Sequence, residues 1–336
     1  MKGRVLIIQT AAIGDVILMT ALAETLHKAY PELTIDLLVK KGHESLFTEH
    51  PYLGMVRTWD KKNGKYVNLV KLIMEIRKTK YRMVINVQRF FATGLITAFS
   101  GAKETRGFAK NPLSIFFTRR FKHPIGDGRH ETERNHQLIT DHVPNSYTPV
   151  PKLYPPKSAM VKVGGMVNGP AITISPASLW FTKQFPAERW IELIRFIPTN
   201  YKIFLLGGPS DHHLCDMIIQ GSGHPGTVNL AGKFTLPESA ALMSLCRMNF
   251  TNDSSPMHLA SAVNAPVTAV FCSTIPGFGF GPLSDDQSIV EVSQPLTCRP
   301  CGLHGKRMCP EKHFRCALGI DIDRLRNRIP AACKEN

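Results

Sequence analysis

The sequence predicts an α/β protein of two doubly wound domains. Strand-like and helix-like segments alternate through the whole chain, the pattern of a parallel sheet with crossover helices. A proline-rich passage at 144–156 interrupts the alternation near the middle of the 336 residues, and the pattern then resumes. Runs of glycine and cap-forming residues follow strand-like segments in both halves, at the strand ends where open α/β sheets bind ligands.

In the first half, strands fit 5–8, 34–39 and 83–87, and amphipathic helices fit 15–29, 66–79 and 131–142. In the second half, strands fit 171–175, 202–206, 248–251 and 267–271, with helices at 187–197, 237–246 and 254–263. Domains are therefore expected at 1–155 and 169–320, joined by a linker at 156–168. A C-terminal helix at 321–336 is expected to pack back on the first domain. Apolar residues make up 43% of the chain, which suffices for two ordinary cores.

Arg4-Val5-Leu6-Ile7-Ile8 reads as a strand, and Asp15 interrupts the apolar stretch after it too soon for an export signal. No window offers the ~18 uninterrupted apolar residues of a spanning helix, so a soluble or peripheral protein is expected. Net charge is +15, and between Arg77 and Arg134 there are 13 Lys/Arg against 4 Asp/Glu. Such a surplus suits an acidic partner (nucleic acid, anionic lipid or a phosphorylated glycan) or a merely soluble basic surface. No RNP-like or helix-turn-helix signature accompanies it, so nucleic acid is not the expected partner.

Four strand exits carry candidate chemistry. The first is Gln9-Thr10-Ala11-Ala12-Ile13-Gly14-Asp15, where Asp15 near a helix start suits either a general base or a plain N-cap. No G-x-G-x-x-G accompanies it, so this is not a dinucleotide fingerprint. The second runs from Ser175-Pro176-Ala177-Ser178 to Thr182-Lys183, supplying hydroxyls and a mobile positive charge suited to phosphate. At the third, Asn252-Asp253-Ser254-Ser255-Pro256-Met257-His258 places more polar groups at a helix start than a cap requires, and exposed amides there bind anions. Gly207-Gly208 forms the fourth, fit for close backbone approach or simply a turn.

Cys215, Cys246 and Cys272 sit in apolar contexts and read as small buried hydrophobes. Cys298, Cys301, Cys309 and Cys316 cluster in a C-x2-C-x7-C-x6-C run, with His304 and His313 nearby and Cys333 beyond. Without an export signal, disulfides are disfavoured. The ligand types suit a structural zinc, but the longer spacings are not those of a common finger or ribbon, so no metal is the expectation.

In this order, the segments resemble glycosyltransferase family 9, the lipopolysaccharide heptosyltransferase family. The resemblance rests on Ala12-Ile13-Gly14-Asp15-Val16, Ser100-Gly101-Ala102-Lys103 with Arg106-Gly107-Phe108, and Thr182-Lys183-Gln184-Phe185-Pro186. It continues through Gly207-Gly208-Pro209-Ser210, Asn229-Leu230-Ala231-Gly232-Lys233 and Asn252-Asp253-Ser254-Ser255-Pro256-Met257-His258-Leu259, and the cysteine-rich tail fits as well. Where the family usually has Asp-Ser-Gly-Pro this chain has Asp253-Ser254-Ser255-Pro256, Pro176-Ala177-Ser178 is shortened from Pro-Gly-Ala-Ser, and Phe185 stands where Trp is common.

The resemblance implies the GT-B fold, two Rossmann-like domains facing across a cleft, with acceptor bound by the first and nucleotide sugar by the second. It implies an inverting, metal-independent transfer of heptose from ADP-heptose to a lipopolysaccharide inner-core or related glycan acceptor. No cofactor is implied. Asp15 falls on the catalytic aspartate and Lys183 on the phosphate-binding lysine. Ser178, Thr182, Gly207, Gly208, Asp253, Ser254, Ser255, Pro256, Met257 and His258 are the expected donor contacts. Gly14, Arg89, Lys103, Arg106, Arg119 and Arg120 are the expected acceptor contacts. The anionic glycolipid acceptor places the protein in the cytoplasm, peripheral at the inner membrane face, where Ile115-Phe116-Phe117 and Arg119-Arg120 suit the lipid surface. Another nucleotide-sugar donor, a nucleotide-sugar epimerase on the same fold, and a zinc-containing nucleic-acid-binding protein are the alternatives.

Overall fold

A computed structural model describes residues 2–143 and 149–331, so Cys333 and residues 144–148 of the proline-rich passage lie outside the described residues. The chain divides into two compact units, Met1–Tyr154 and Pro155–Asn336. The first unit carries β1 (Gly3–Ile8), β2 (Leu33–Lys40), β3 (Leu53–Trp59), β4 (Met83–Asn86), β5 (Glu104–Phe108) and β6 (Arg119–Phe121). All pair in parallel, in the order β3-β2-β1-β4-β5-β6. Its helices are α1 (Ile13–Ala29), α2 (Lys65–Thr79), α3 (Phe91–Ala98) and α4 (Glu131–His136).

The second unit opens with α5 (Lys157–Gly164) and carries β7 (Ala171–Ser175), β8 (Lys202–Leu205), β9 (Thr227–Asn229), β10 (Met248–Asn252), β11 (Val267–Phe271) and β12 (Gln287–Glu291). The longer crossover helices are α6 (Ala187–Arg195), α7 (His212–Ser222), α8 (Leu236–Leu245) and α9 (Ser255–Ala262); two single turns, α10 (Arg315–Leu318) and α11 (Asp323–Arg326), close it. Its sheet is again parallel, ordered β12-β11-β10-β7-β8-β9. Counted from its own first strand, that order repeats the first unit's, so both are doubly wound sheets of the Rossmann type.

The inner strands are apolar runs because helices cover both sheet faces. Val5 to Ile8 of β1 and all of β7 are buried. Trp190 of α6 is fully buried and meets Phe185 edge-on, with ring centroids 5.1 Å apart. Phenylalanine thus fills an interior position at 185.

Two expected boundaries differ. Residues 157–164, expected in the linker, form α5, whose Ala159 and Val163 are buried and whose Lys162 pairs with Glu238 of α8 at 2.8 Å. Alanine and valine one turn apart gave this short helix a buried face that the preceding prolines concealed. The tail at 321–331 packs on the second unit's own core and is not a long helix. Leu325 is buried in that core, Pro330 O accepts from Tyr201 Oη at 2.8 Å, and Arg326 lies over Phe196.

Candidate active site

Each sheet has a switch point where its first and fourth strands meet, β1 beside β4 and β7 beside β10. A side-chain amide spans each. Gln88, after β4, accepts from Thr10 N at 3.1 Å and Thr10 Oγ1 at 2.8 Å, after β1. Asn252 at the end of β10 donates to Pro176 O at 2.7 Å and accepts from Phe185 N at 2.9 Å. These bonds fix the backbone of both exits.

α1 starts with Ala12 at its cap position, Gly14 buried in its first turn, and Asp15 as its third residue. Asp15 therefore does not cap by position, although its carboxylate accepts the Ala12 amide. Burial raises its pKa from 3.8 to about 6, with the charge of Glu131 adding, while the Ala12 amide, Arg89 and His123 pull the other way. A carboxyl so poised is ionised at neutral pH yet basic enough to take a proton.

Glu131 stays ionised beside it. Burial opposes this, but His123 Nε2 at 3.1 Å and Arg134 Nε at 2.8 Å outweigh it and hold the carboxyl below its ordinary value. Glu131 and His123 were not read as site residues from sequence, because they approach Asp15 only through folding. Arg89 is exposed close enough to act on Asp15, in keeping with its expected place.

A cavity of about 480 Å³ opens at the same strand ends, lined among others by Trp59, Lys61, Lys65, Phe90 and Phe91. Lys61 Nζ donates to Thr10 O at 2.7 Å and stands 4.8 Å over the Trp59 ring. An apolar, aromatic wall with two lysines suits an amphipathic anion. Sequence reasoning missed it because β3, which carries Trp59, has no clean alternation.

The other expected acceptor cations lie elsewhere. Lys103 precedes β5, at the amino edge of the sheet rather than the ligand edge. Arg106 lies within β5, 1% exposed; its Nη2 bonds Glu104 Oε1 at 2.5 Å, Asp141 Oδ2 at 2.8 Å and His142 Nε2 at 2.7 Å. This arginine braces the fold, and the acceptor role expected for it is withdrawn. Glu104, Asp141 and His142 have metal-ligand spacing, but Arg106 already supplies the cation among them. Arg119 and Arg120 are exposed on edge strand β6, while Phe117 turns inward over Gly107, where a Cβ would lie 2.7 Å from its ring.

In the second unit, the expected donor residues share the carboxyl edge of three adjacent strands, β8, β7 and β10. Lys183 Nζ pairs with Asp253 Oδ2 at 2.7 Å, and Thr274 Oγ1 donates to the same oxygen at 2.6 Å. Beside them α9 begins at Ser255 after Ser254, with no side-chain cap and Pro256 in its first turn, so its first amides are not satisfied by a cap. Ser255 has no positive φ, so serine replaces the usual glycine without backbone strain.

Three expected donor contacts are occupied otherwise. Thr182 is 1% exposed, and its Oγ1 accepts from Lys306 N at 2.7 Å and lies 2.9 Å from Ser273 Oγ. Met257 is buried with Ala269 and Phe271. Gly207 is explained by Asp211, whose Cβ would stand 2.8 Å from a Cβ at 207 and whose carboxylate accepts Gly208 N. Ser178, Ser254 and Pro256 remain partly exposed at the strand ends, whereas His258 is buried on α9.

The sequence model of glycosyltransferase family 9 (heptosyltransferase) matches residues 69–312. Lipopolysaccharide heptosyltransferase 3 of Escherichia coli is 26% identical over 277 residues, 78% of this chain and 81% of that one. Lipopolysaccharide heptosyltransferase 1 of Pseudomonas aeruginosa is 24% identical over 325 residues, 89% of this chain and 86% of that one. Among solved structures, E. coli ADP-heptose lps heptosyltransferase II matches with a TM-score of 0.79 at 20% identity, covering 98% of this chain and 97% of that one. Two Rossmann-like units in one chain with this likeness define the GT-B fold. The chain belongs to glycosyltransferase family 9, the heptosyltransferase family.

Proposed function

We propose that this glycosyltransferase moves heptose from ADP-heptose to an inner-core hydroxyl of lipopolysaccharide, with inversion and without a catalytic metal. Asp15 takes the proton from the acceptor hydroxyl as its oxygen attacks the anomeric carbon. The sugar–phosphate bond breaks, and ADP leaves with the electron pair. Lys183 and the uncapped amides of α9 stabilise the departing diphosphate, so positive charge is supplied by the chain itself. Asp253, released from Lys183 by the incoming phosphate, is then free to accept sugar hydroxyls.

The observation that carries this reading is the lysine beside an uncapped helix start, at the switch point of the second sheet. The names of the relatives support the donor and the lipopolysaccharide acceptor. In the first unit, Arg89 and the cavity of Lys61 and Lys65 suit an acceptor bearing phosphates and carboxylates.

Membrane contact belongs to the same proposal. No helix of the described residues is long and apolar enough to cross a membrane. Tyr66 and Met74 on α2 are 74% and 52% exposed, and Ile115 and Phe116 are 68% and 64% exposed. Their elements adjoin α3 and carry Lys65, Lys71, Arg77 and Lys78 along α2, which suits the anionic surface of the inner membrane's cytoplasmic face.

A thermal-shift panel of ADP, GDP, UDP, CMP and dTDP tests the donor. ADP at 100 times its Kd should add about 2.7 kcal/mol of stability. A larger shift with another nucleotide assigns a different donor.

A further inference from the structure

We propose that the tail of the second unit binds one thiophilic metal ion, zinc or iron(II), through the thiolates of Cys298, Cys301, Cys309 and Cys316, with His313 positioning Cys298. The site is structural and separate from the transfer chemistry. It would hold in place the segment against which Lys183 packs.

Residues 292–313 cross the carboxyl edge of the second sheet with neither helix nor strand. A loop of that length needs anchors. Val292, Leu296 and Arg299 tie its first part to the sheet, but further along Leu303 is 37% and Met308 72% exposed. Four cysteines and His313 line one cavity of about 400 Å³ within it, and all four thiols are free. Cys316 is set in the core of the unit, while Cys298, Cys301 and Cys309 are partly exposed on the loop. One ligand is thus rigid and three can turn toward it. Among the described residues, no three of these ligand atoms lie within 4.8 Å of one another, so binding requires the three loop sulfurs to turn toward Cys316.

His313 fixes the donor set. Its Nδ1 accepts the Arg315 amide at 3.1 Å, so in the neutral ring Nε2 carries the proton. That Nε2 stands 3.8 Å from Cys298 Sγ and donates toward it. An imidazole held in this tautomer is not a ligand; it orients a thiolate, as partners beyond the ligand shell do in metal sites. Four sulfurs remain, the first two separated by the two-residue spacing of structural zinc knuckles. Four all-sulfur ligands select zinc or iron over hard cations. Binding forms four metal–sulfur bonds and releases the thiol protons to solvent.

The loop reaches the donor residues directly. Lys306 O accepts Thr182 N at 3.1 Å, Lys306 N donates to Thr182 Oγ1 at 2.7 Å, and Cys301 N donates to Ser273 O at 2.9 Å. Gly305 lies so close that a Cβ there would stand 2.9 Å from Lys183 Cγ.

The test is metal analysis of the chain purified without chelator and under anaerobic conditions, followed by cobalt(II) titration of the stripped protein. About one equivalent of zinc or iron per chain is expected. Cobalt should give sulfur-to-metal charge-transfer bands and the visible bands of a tetrahedral site. Cys309→Ser should lose the metal or weaken it severely, while Cys246→Ala, at a buried cysteine outside the cavity, should retain it. A folded wild-type chain that carries no metal and develops no cobalt–thiolate bands overturns the proposal. So does a Cys309→Ser chain with unchanged affinity and spectrum.

Discussion

Asp15→Asn should cut turnover by about 10²–10⁴-fold, the range for losing a general base, and yet stabilise the fold above pH 6. The sign follows from burial. The folded pKa of about 6 exceeds the ordinary 3.8, so the folded chain holds this proton more tightly than the unfolded chain. Ionising Asp15 therefore costs nothing to stability below the ordinary value. The penalty grows as pH rises from 3.8 and is complete above about 6. A shift of this size corresponds to at most about 3 kcal/mol. Asparagine carries no such penalty, so the variant's gain in Tm should appear at pH 8 and vanish at pH 4. The wild-type kcat/KM should fall as pH drops through about 6. An aspartate that only satisfied the Ala12 amide would lose stability on replacement and leave turnover intact. Measuring Tm and turnover together at both pH values separates the two.

Lys183→Ala should lower kcat by about 10²–10³-fold, as for removal of one preorganised donor to a developing charge. It should also destabilise the second unit. The Lys183 and Asp253 side chains are only 15% and 9% exposed, and without the lysine the carboxylate keeps, among the described residues, the Thr274 hydroxyl. Breaking a well-buried pair costs about 3–5 kcal/mol, an upper figure here because Lys183 retains some contact with water. The double variant Lys183→Ala/Asp253→Asn should recover much of that stability, since the orphaned charge is gone. It should not recover turnover. Turnover restored in the double variant would make Lys183 a counter-ion for Asp253 rather than a ligand of the leaving group.

Apart from β5, whose charged Glu104-Thr105-Arg106 hid it, the inner strands of both sheets were legible because strands covered on both faces are continuous apolar runs, as in β1, β7 and β11. Edge strands were not. β3 buries only Trp59 of its seven residues, and β6 is three residues long with two exposed arginines. The positions of Asp15, Lys183 and Asp253 were legible from strand exits, since chain order alone places them at sheet ends. What lay beyond reach was pairing across the fold. Gln88 meets Thr10 from 78 positions away, and Glu131 approaches Asp15 from a different helix. Arg106 shows the opposite error. Its place in a charged motif suggested ligand contact, but its position inside β5 turns the guanidinium onto Glu104 and Asp141.

Mass spectrometry of a lipopolysaccharide inner-core acceptor, after incubation with ADP-heptose and the 336-residue chain, tests the transfer directly. The expected result is an acceptor heavier by one heptose, with ADP released in equal amount. ADP release with an unchanged acceptor, or an altered nucleotide sugar formed without any acceptor, would contradict it.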